Sequence, residues 1–579
     1  MRRNGVPLAV AGLSLAAGAH AQSASATAAS KAASASGITQ YIPQDFAGFG
    51  IEPSNLFSFT GEASENKLTV NLMSNLASYA GKPAHIRLGG NTQDYFLYQV
   101  DMDEWTVKTN PNSKGQGAIA SDADIIGPRF FEAISRFPKG TPITFGLNLA
   151  YDDEDYEDQI ALMASAALNN LTNVDLVSFE IGNEPDLYGQ NGFRTGQWDG
   201  TTYVKEWKAR AKAVWERVLK PAGGWSANSF EGPCTASTIG TTFEMEQLVN
   251  NGIKANADGE TNPYLRAWNQ HDYLYFIDVS EFTLTLEWMM TLSNTVDQFK
   301  YWATQIGIAL KTGLPYYLRE MQSVGPTGMQ GVSDTFGAAL WNLNFFLYAA
   351  SLNISSVEMH MTDNSYAAPW QPVDRNGISQ HVRPVYYAYA AMAQLIGSGN
   401  GTTQIAPLDT DGVPNDYGNY VRMYAGYGSG ELTSVVLINS KMANSSDTNK
   451  GSLDFDITFS GHGGETVHLA YLTAAGAESN SNVTFNGLSF ESSGDGTPTT
   501  ADGTDHTVTL DKDGKGTISV RDTEAVVAYV GAKLGSNAVS TNGTSSSSKK
   551  SAAAISIGAP NAASVLAAAA SVLAFGFLG

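Results

Sequence analysis

From residue 38 to about residue 375, two kinds of hydrophobic pattern take turns along the chain. Short apolar runs rich in β-branched and aromatic residues fall at 46–51, 85–88, 142–149, 177–181, 228–233, 265–275, 314–319 and 354–361. Runs of this kind, bounded by turn residues, predict buried strands. Between them lie stretches whose apolar residues recur every three or four positions, at about 68–79, 203–220, 296–310 and 336–352. In the clearest of these, Val204, Trp207, Ala211, Val214, Trp215 and Val218 form a single stripe, which predicts an amphipathic helix laid on a core. Ser333 is the expected N-cap of the helix at 336–352. Eight strand–helix alternations predict a (β/α)8 TIM barrel of the α/β class. A doubly wound open sheet is the competing arrangement, but no Gly-x-Gly-x-x-Gly loop follows any strand.

The pattern changes near residue 399. Short alternating strands are expected at 420–424, 434–438, 453–459, 467–471, 483–490, 508–510 and 525–530, parted by turns such as Asp511-Lys512-Asp513-Gly514, without helical periodicity. This predicts a C-terminal β-sandwich over 399–533, after a catalytic barrel over 37–398. Residues 22–36 are rich in Ala and Ser without periodicity and read as a linker.

The ends carry other signals. Arg2-Arg3, an apolar stretch at 6–17 and Ala19-His20-Ala21 predict a secretory signal over 1–21. Residues 534–579 hold a Ser-rich stretch, Lys549-Lys550 and a short terminal apolar run, the order of a glycosylphosphatidylinositol-anchor signal. Asn-x-Ser/Thr sequons at Asn170, Asn353, Asn400, Asn444, Asn482 and Asn542 fit a secreted surface. The chain is expected to be secreted, with contact to a membrane only through that anchor.

Charge and cysteine content narrow the classes. Among 579 residues, 34 are basic and 56 acidic, a formal net charge of −22 that argues against nucleic-acid or anionic-membrane partners. With one cysteine, Cys234, no intrachain disulfide framework exists, and that thiol is expected as a buried small hydrophobe. The histidines show no HExxH spacing, and no Gly-x-Ser-x-Gly is present, so neither a metal nor serine-hydrolase chemistry is indicated.

Two carboxylates stand out. The run Val177-Ser178-Phe179-Glu180-Ile181 stops at Gly182-Asn183-Glu184-Pro185, and Pro185 has no N–H with which to continue a ladder. Glu320 stands where a second apolar run, Tyr316-Tyr317-Leu318-Arg319, ends. These are the fourth and seventh strands, so both carboxylates are expected at the carboxyl ends of barrel strands, facing one pocket. A pair of carboxylates flanking a glycosidic bond is what glycoside hydrolysis requires. Arg319 adjoins Glu320, and the period of two sends it to the opposite side of the strand.

Taken with further motifs, the chain resembles the retaining (β/α)8 glycosidases and, within them, glycoside hydrolase family 79, which includes β-glucuronidases and heparanase. The motifs are Phe46-Ala47-Gly48-Phe49-Gly50-Ile51-Glu52, Ile86-Arg87-Leu88-Gly89-Gly90-Asn91-Thr92-Gln93-Asp94, Phe179-Glu180-Ile181-Gly182-Asn183-Glu184-Pro185-Asp186, His271-Asp272-Tyr273 and Gly331-Val332-Ser333-Asp334-Thr335-Phe336-Gly337-Ala338-Ala339-Leu340-Trp341. The resemblance implies that Glu184 is the acid/base and Glu320 the nucleophile. It also implies that Asn183 donates to the sugar 2-hydroxyl, that Tyr273 aligns Glu320, and that Glu52 and Asn91 hold sugar hydroxyls. A strand before the barrel, here 37–42, would join the sandwich. No cofactor is implied.

The loop that should recognise a uronate departs from the family. It reads Met359-His360-Met361-Thr362-Asp363-Asn364-Ser365-Tyr366, with an acidic Asp363 and without the family's glycine, while Gln322 stands where many relatives carry Asn. Tyr366 is the expected carboxylate donor. The leading expectation is a retaining, exo-acting β-glucuronidase that removes terminal glucuronic acid, or its 4-O-methyl form, from a glycan substrate. A glycosidase for a neutral sugar such as glucose, or a silent surface carbohydrate-binding protein, are the alternatives.

Overall fold

The computed structural model describes residues 22–536 except 116, 118 and 237–239. The expected signal sequence and anchor tail lie outside the described residues. Eight parallel strands close into a barrel: Ala47–Ile51, Ile86–Leu88, Pro142–Leu147, Asp175–Ile181, Phe230–Thr235, Leu265–Phe276, Tyr316–Gly325 and Ser356–Met361. Each overlaps one of the eight apolar runs read from the sequence. Closure runs from the eighth strand to the first, with Val357 opposite Ala47 and Met361 opposite Ile51.

The helices follow their caps. Lys67–Ala80 starts where the Asn66 side chain accepts from Thr69 N, and Gly200–Val214 where Asp199 accepts from Thr201 N and Thr202 N. The helix Phe336–Ser351 is capped by Thr335, whose hydroxyl accepts from Ala338 N, and not by Ser333. The Ser333 hydroxyl is already spent on the preceding turn, where it accepts from Met329 N at 2.6 Å. This helix is buried almost all round because the barrel lies on one side and the sandwich on the other. Its first turn is tied to the sandwich through Phe336 N to Ser479 O at 2.7 Å, and its middle through Tyr424, whose hydroxyl donates to Asn344 Oδ1 at 3.0 Å.

The C-terminal unit is a nine-stranded sheet facing a three-stranded one. Val421, Val435, Leu437, Val526 and Ala528 of the first pack against Leu453, Phe455, Ile457 and Phe459 of the second. Three sequence expectations fail here. Residues 23–28 are not linker: Ser23–Ala28 is a strand, parallel to Ser452–Phe459, with Ser23 opposite Asp454 and Ala28 opposite Phe459. Ala24 and Ala28 point into the sandwich core while Ser23, Ser25 and Thr27 face solvent, so the period of two is present but written in residues too small to announce it. Conversely, 37–42 is not a strand. It runs beside Gln404–Pro407, held by Thr39 N to Ile405 O and Ile42 N to Thr403 O. The stretch at 483–490 is a tight hairpin of Thr484–Phe485 and Leu488–Ser489, turned by Asn486 and Gly487 at positive φ.

Candidate active site

The fourth strand ends at Ile181, and the chain then turns sharply. Gly182 has φ 82° and Glu184 φ 49°, a left-handed conformation that a non-glycine residue adopts at a cost of ~1–2 kcal/mol. That strain is held in place by hydrogen bonds. Glu184 N donates to Cys234 O at 2.8 Å, and Asn183 N donates to Asp94 Oδ2 at 2.9 Å. Asp94 is buried and also accepts from Leu149 N at 3.0 Å, Ala150 N at 3.4 Å and the Tyr188 hydroxyl at 2.6 Å. One carboxylate therefore ties the ends of the third and fourth strands together and fixes the turn that carries Asn183 and Glu184.

Glu320 lies within the seventh strand, which continues five residues further to Gly325. Its Oε1 accepts from the Tyr273 hydroxyl at 2.6 Å and its Oε2 from Arg87 Nη1 at 2.5 Å. Arg87 is fully buried and joins the two halves of the site: Nε donates to Glu180 Oε1 at 2.7 Å, and Nη2 to Asn183 Oδ1 at 2.8 Å. Gly89 makes room for this pair, because a Cβ there would sit 2.2 Å from Glu180 Oε1 and 2.3 Å from Arg87 Nε. An oxygen of Glu184, a ring nitrogen of His271 and an oxygen of Glu320 all lie within 4.8 Å of one another. His271 Nδ1 is 3.2 Å from Glu184 Oε1 and 3.7 Å from Glu320 Oε2.

The two carboxyls are driven in opposite directions. Burial first, and then the charge of Glu320, push Glu184 up to about 8. Burial alone would raise Glu320 as well. The groups around it that can carry positive charge, His360, His271 and Arg87, together with the Tyr273 hydrogen bond, instead hold it well below the ordinary carboxylate range. Burial lowers His271 to about 4, so Arg87 and His360 carry the positive charge around Glu320 at neutral pH. A guanidinium 2.5 Å from Glu320 Oε2 also disfavours a metal ion between these side chains.

Of the residues expected from the sequence, Asn183 and Tyr273 are bonded into this cluster and Asn91 and Glu52 adjoin it. Asn183 Nδ2 donates to Asn91 Oδ1 at 2.9 Å. Glu52 Oε1 accepts from Thr92 N at 2.9 Å and from the Thr92 hydroxyl, leaving Oε2 towards His360. Tyr366 is half-buried on the eighth-strand loop, its N–H donating to Thr327 O at 2.8 Å on the loop after Glu320. Asp363 turns away from the role its charge suggested: it is buried, accepts from the Ser58 hydroxyl at 2.6 Å and is paired with Arg375. Cys234 is fully buried.

Arg319 corrects the sequence reading. It does not lie on the opposite side of the strand from Glu320. It enters the barrel and bonds Glu231 of the fifth strand through Nε at 2.7 Å and Glu358 of the eighth through Nη1 at 2.8 Å. The residues that sequence reasoning passed over are Arg87, Asp94, His271 and His360. The first three stand inside the quoted motifs, Arg87 as a lone cation in the apolar run Ile86-Arg87-Leu88 and Asp94 just past a strand end.

Comparison with known proteins agrees with this fold. Residues 423–527 match the model of the glycosyl hydrolase family 79 C-terminal β domain. A protein of Aspergillus niger named β-glucuronidase is 29% identical over 432 residues, 71% of this chain and 75% of that one. One of Neurospora crassa with the same name is 27% identical over 421 residues, 70% and 74% of the two chains. The crystal structure of a 4-O-α-L-rhamnosyl-β-D-glucuronidase from Fusarium oxysporum shares the fold, with a TM-score of 0.70 and 22% identity over 87% of this chain and all of that one. The closed barrel, the β domain behind it and these relatives agree: the chain is a glycoside hydrolase whose C-terminal β domain matches that of family 79.

Proposed function

We propose that this enzyme is a retaining, exo-acting β-glucuronidase, removing terminal β-linked glucuronic acid or its 4-O-methyl form from a glycan. The observation that carries the chemistry is the carboxylate pair in one pocket, Glu184 protonated up to about pH 8 beside a Glu320 kept ionised. The approach of one oxygen of each to within 4.8 Å fits the close spacing of retaining enzymes, ~5–5.5 Å between carboxyl groups. Glu320 attacks the anomeric carbon as the glycosidic bond breaks, and the leaving oxygen takes the proton of Glu184. Once Glu320 is esterified its negative charge is gone, and with it one of the causes that raised Glu184. Glu184 can then accept a proton from the water that attacks the same carbon and releases Glu320. Asn183, oriented by Arg87 and Asn91, is placed to bond the 2-hydroxyl. The two β-glucuronidase relatives support the sugar assignment, and the pairing of Asp363 with Arg375 removes a negative charge that would oppose a uronate.

The test compares hydrolysis of 4-nitrophenyl β-glucuronide and 4-nitrophenyl β-glucoside by the enzyme, Glu184→Gln and Glu320→Gln. Glucuronide turnover lost in both variants is expected. Glucoside turnover alone would keep the carboxylate pair and overturn the sugar. As part of the same reading, the enzyme is exported by its first 21 residues and held at the cell surface through its apolar tail, as the sequence of both ends supports. Release of activity from intact cells by a phosphatidylinositol-specific phospholipase C tests the anchor.

A further inference from the structure

We propose that His360 is a positioning residue of this site, an imidazolium that bridges Glu52 and Glu320 and sets the pH window in which the catalytic pair holds its working protonation states. The proposal rests on the glycosidase reading above and adds a residue that neither the motifs nor the relatives single out.

The geometry is specific. His360 lies on the eighth strand, only 7% exposed, with Nε2 3.6 Å from Glu52 Oε2 and Nδ1 3.8 Å from Glu320 Oε2. Its main chain is fixed, since His360 O accepts from Gln322 Nε2 at 3.1 Å. Across from it is Gly50, whose absent Cβ would be in van der Waals contact with Nδ1 at 3.4 Å, so the ring packs directly against the first strand. Among the described residues Nδ1 has no hydrogen-bond partner, although it is buried. A buried ring nitrogen without a partner is costly unless a charge or a substrate group answers it, and the nearest charge is Glu320.

The groups facing the ring decide its charge. Glu52 at the end of the first strand and Glu320 on the seventh are anions, Arg87 on the second is a cation, and Glu184 beyond the fourth is protonated. Glu358, two residues earlier on the same strand, is turned to Arg319. Two anions outweigh one cation, and although burial opposes it, Glu320 and Glu52 raise the imidazole above its ordinary range. His271, the other imidazole beside Glu320, is pressed the other way by burial and by Arg87, whose Nη2 is 3.3 Å from its Nε2. The site thus holds one charged and one neutral imidazole, and His360 is the charged one.

The consequence is directional. The His360 cation lowers both members of the pair, Glu320 and Glu184. In His360→Asn, which removes the charge and keeps a polar side chain, the acidic and the alkaline limbs of kcat/KM should both move to higher pH, each by about one unit or more. In His360→Lys, which restores a cation, both limbs should return towards those of the parent enzyme. A merely structural role would lower kcat in both variants and move neither limb, and that result would overturn the proposal. A readout independent of substrate uses the full chain with 13C-labelled histidine, the His360 resonance being assigned by its loss in His360→Asn. Titration above the ordinary histidine range, falling in Glu320→Gln, is expected. Titration below that range would overturn the bridge even in an active enzyme. The expected titration in a chain inactive on every glycoside would overturn the functional reading and leave the bridge standing.

Discussion

Arg319 and Glu320 are consecutive residues of one strand, and both point into the barrel. The ladders show why. Leu318 pairs with Val357 and then Met321 with Met359, while on the other side Gln270 pairs with Leu318 and then His271 with Glu320. The seventh strand carries one residue more than either neighbour at this point, a β-bulge that returns Glu320 to the face already taken by Arg319. Two ionic layers result. Arg319 with Glu231 and Glu358 fills the lower one, and Arg87 with Glu180 and Glu320 the upper. Barrels of this kind are ordinarily filled with branched aliphatic side chains. Here Glu320 stands on a floor of buried charged groups, and in that floor burial pushes Glu358 up to about 8, so it is protonated at neutral pH and the lower layer balances.

The lower layer should therefore break expensively. Arg319→Met takes from Glu231 its ion-pair partner, and removing one partner of a buried pair costs ~3–5 kcal/mol. Denaturant unfolding of Arg319→Met should show a loss of that size, and adding Glu231→Gln should recover part of it. A loss below ~1 kcal/mol, within the range of exposed pairs, would mean that the layer is not a buried ionic unit.

Glu184 links the site to pH-dependent stability. Its carboxyl titrates at about 8 in the folded chain, whereas an unfolded Glu titrates near 4.3. A group raised on folding stabilises fully below its unfolded value, and that contribution is lost as pH climbs through the folded one. The enzyme should lose stability at this residue between about pH 4.5 and 8, and Glu184→Gln, which cannot ionise, should escape the loss. The stability difference between variant and parent should grow by a few kcal/mol from pH 5 to pH 8. A difference that stays constant across this interval would show that Glu184 is not raised.

Room for Arg87 comes from one glycine. In Gly89→Ala the new methyl would overlap both Glu180 and Arg87, so the guanidinium must leave its place under Glu320. Overpacking of this kind costs ~1–3 kcal/mol in stability. The sharper sign is catalytic: kcat should fall by more than the stability loss explains, because Arg87 also orients Asn183. An Ala variant with a lower melting temperature and an unchanged kcat would separate Gly89 from the site.

These residues also show how far the sequence could be read. The barrel was legible because buried parallel strands are continuous apolar runs ended by Gly or Pro, and Glu184 and Glu320 because a carboxylate at such an end has no packing role. Arg87 was not, since one cation between Ile86 and Leu88 looks like ordinary alternation. Arg319 was misplaced because a bulge leaves no mark in residue types and shifts the period of two by one. Thr335 and Ser333 are equally good caps on paper, and only the turn at 329–333 decides between them. The strand at 23–28 was missed because alanine is a weak signal for burial.

That strand yields the last prediction. If Ser23–Ala28 closes the three-stranded sheet, substitutions at neighbouring positions must differ sharply. Ala24 is 1% exposed and packs into the sandwich core, whereas Ser25 faces water. Ala24→Asp buries a carboxylate without a cation beside it and should cost at least ~2 kcal/mol, while Ser25→Asp, an exposed substitution, should stay within ~0.5 kcal/mol. Thermal unfolding of the two variants side by side measures the contrast. Equal, negligible effects at both positions would return residues 22–36 to the role of a linker and leave Ser452–Phe459 as an open edge, which a sheet of this size would have to cover by other means.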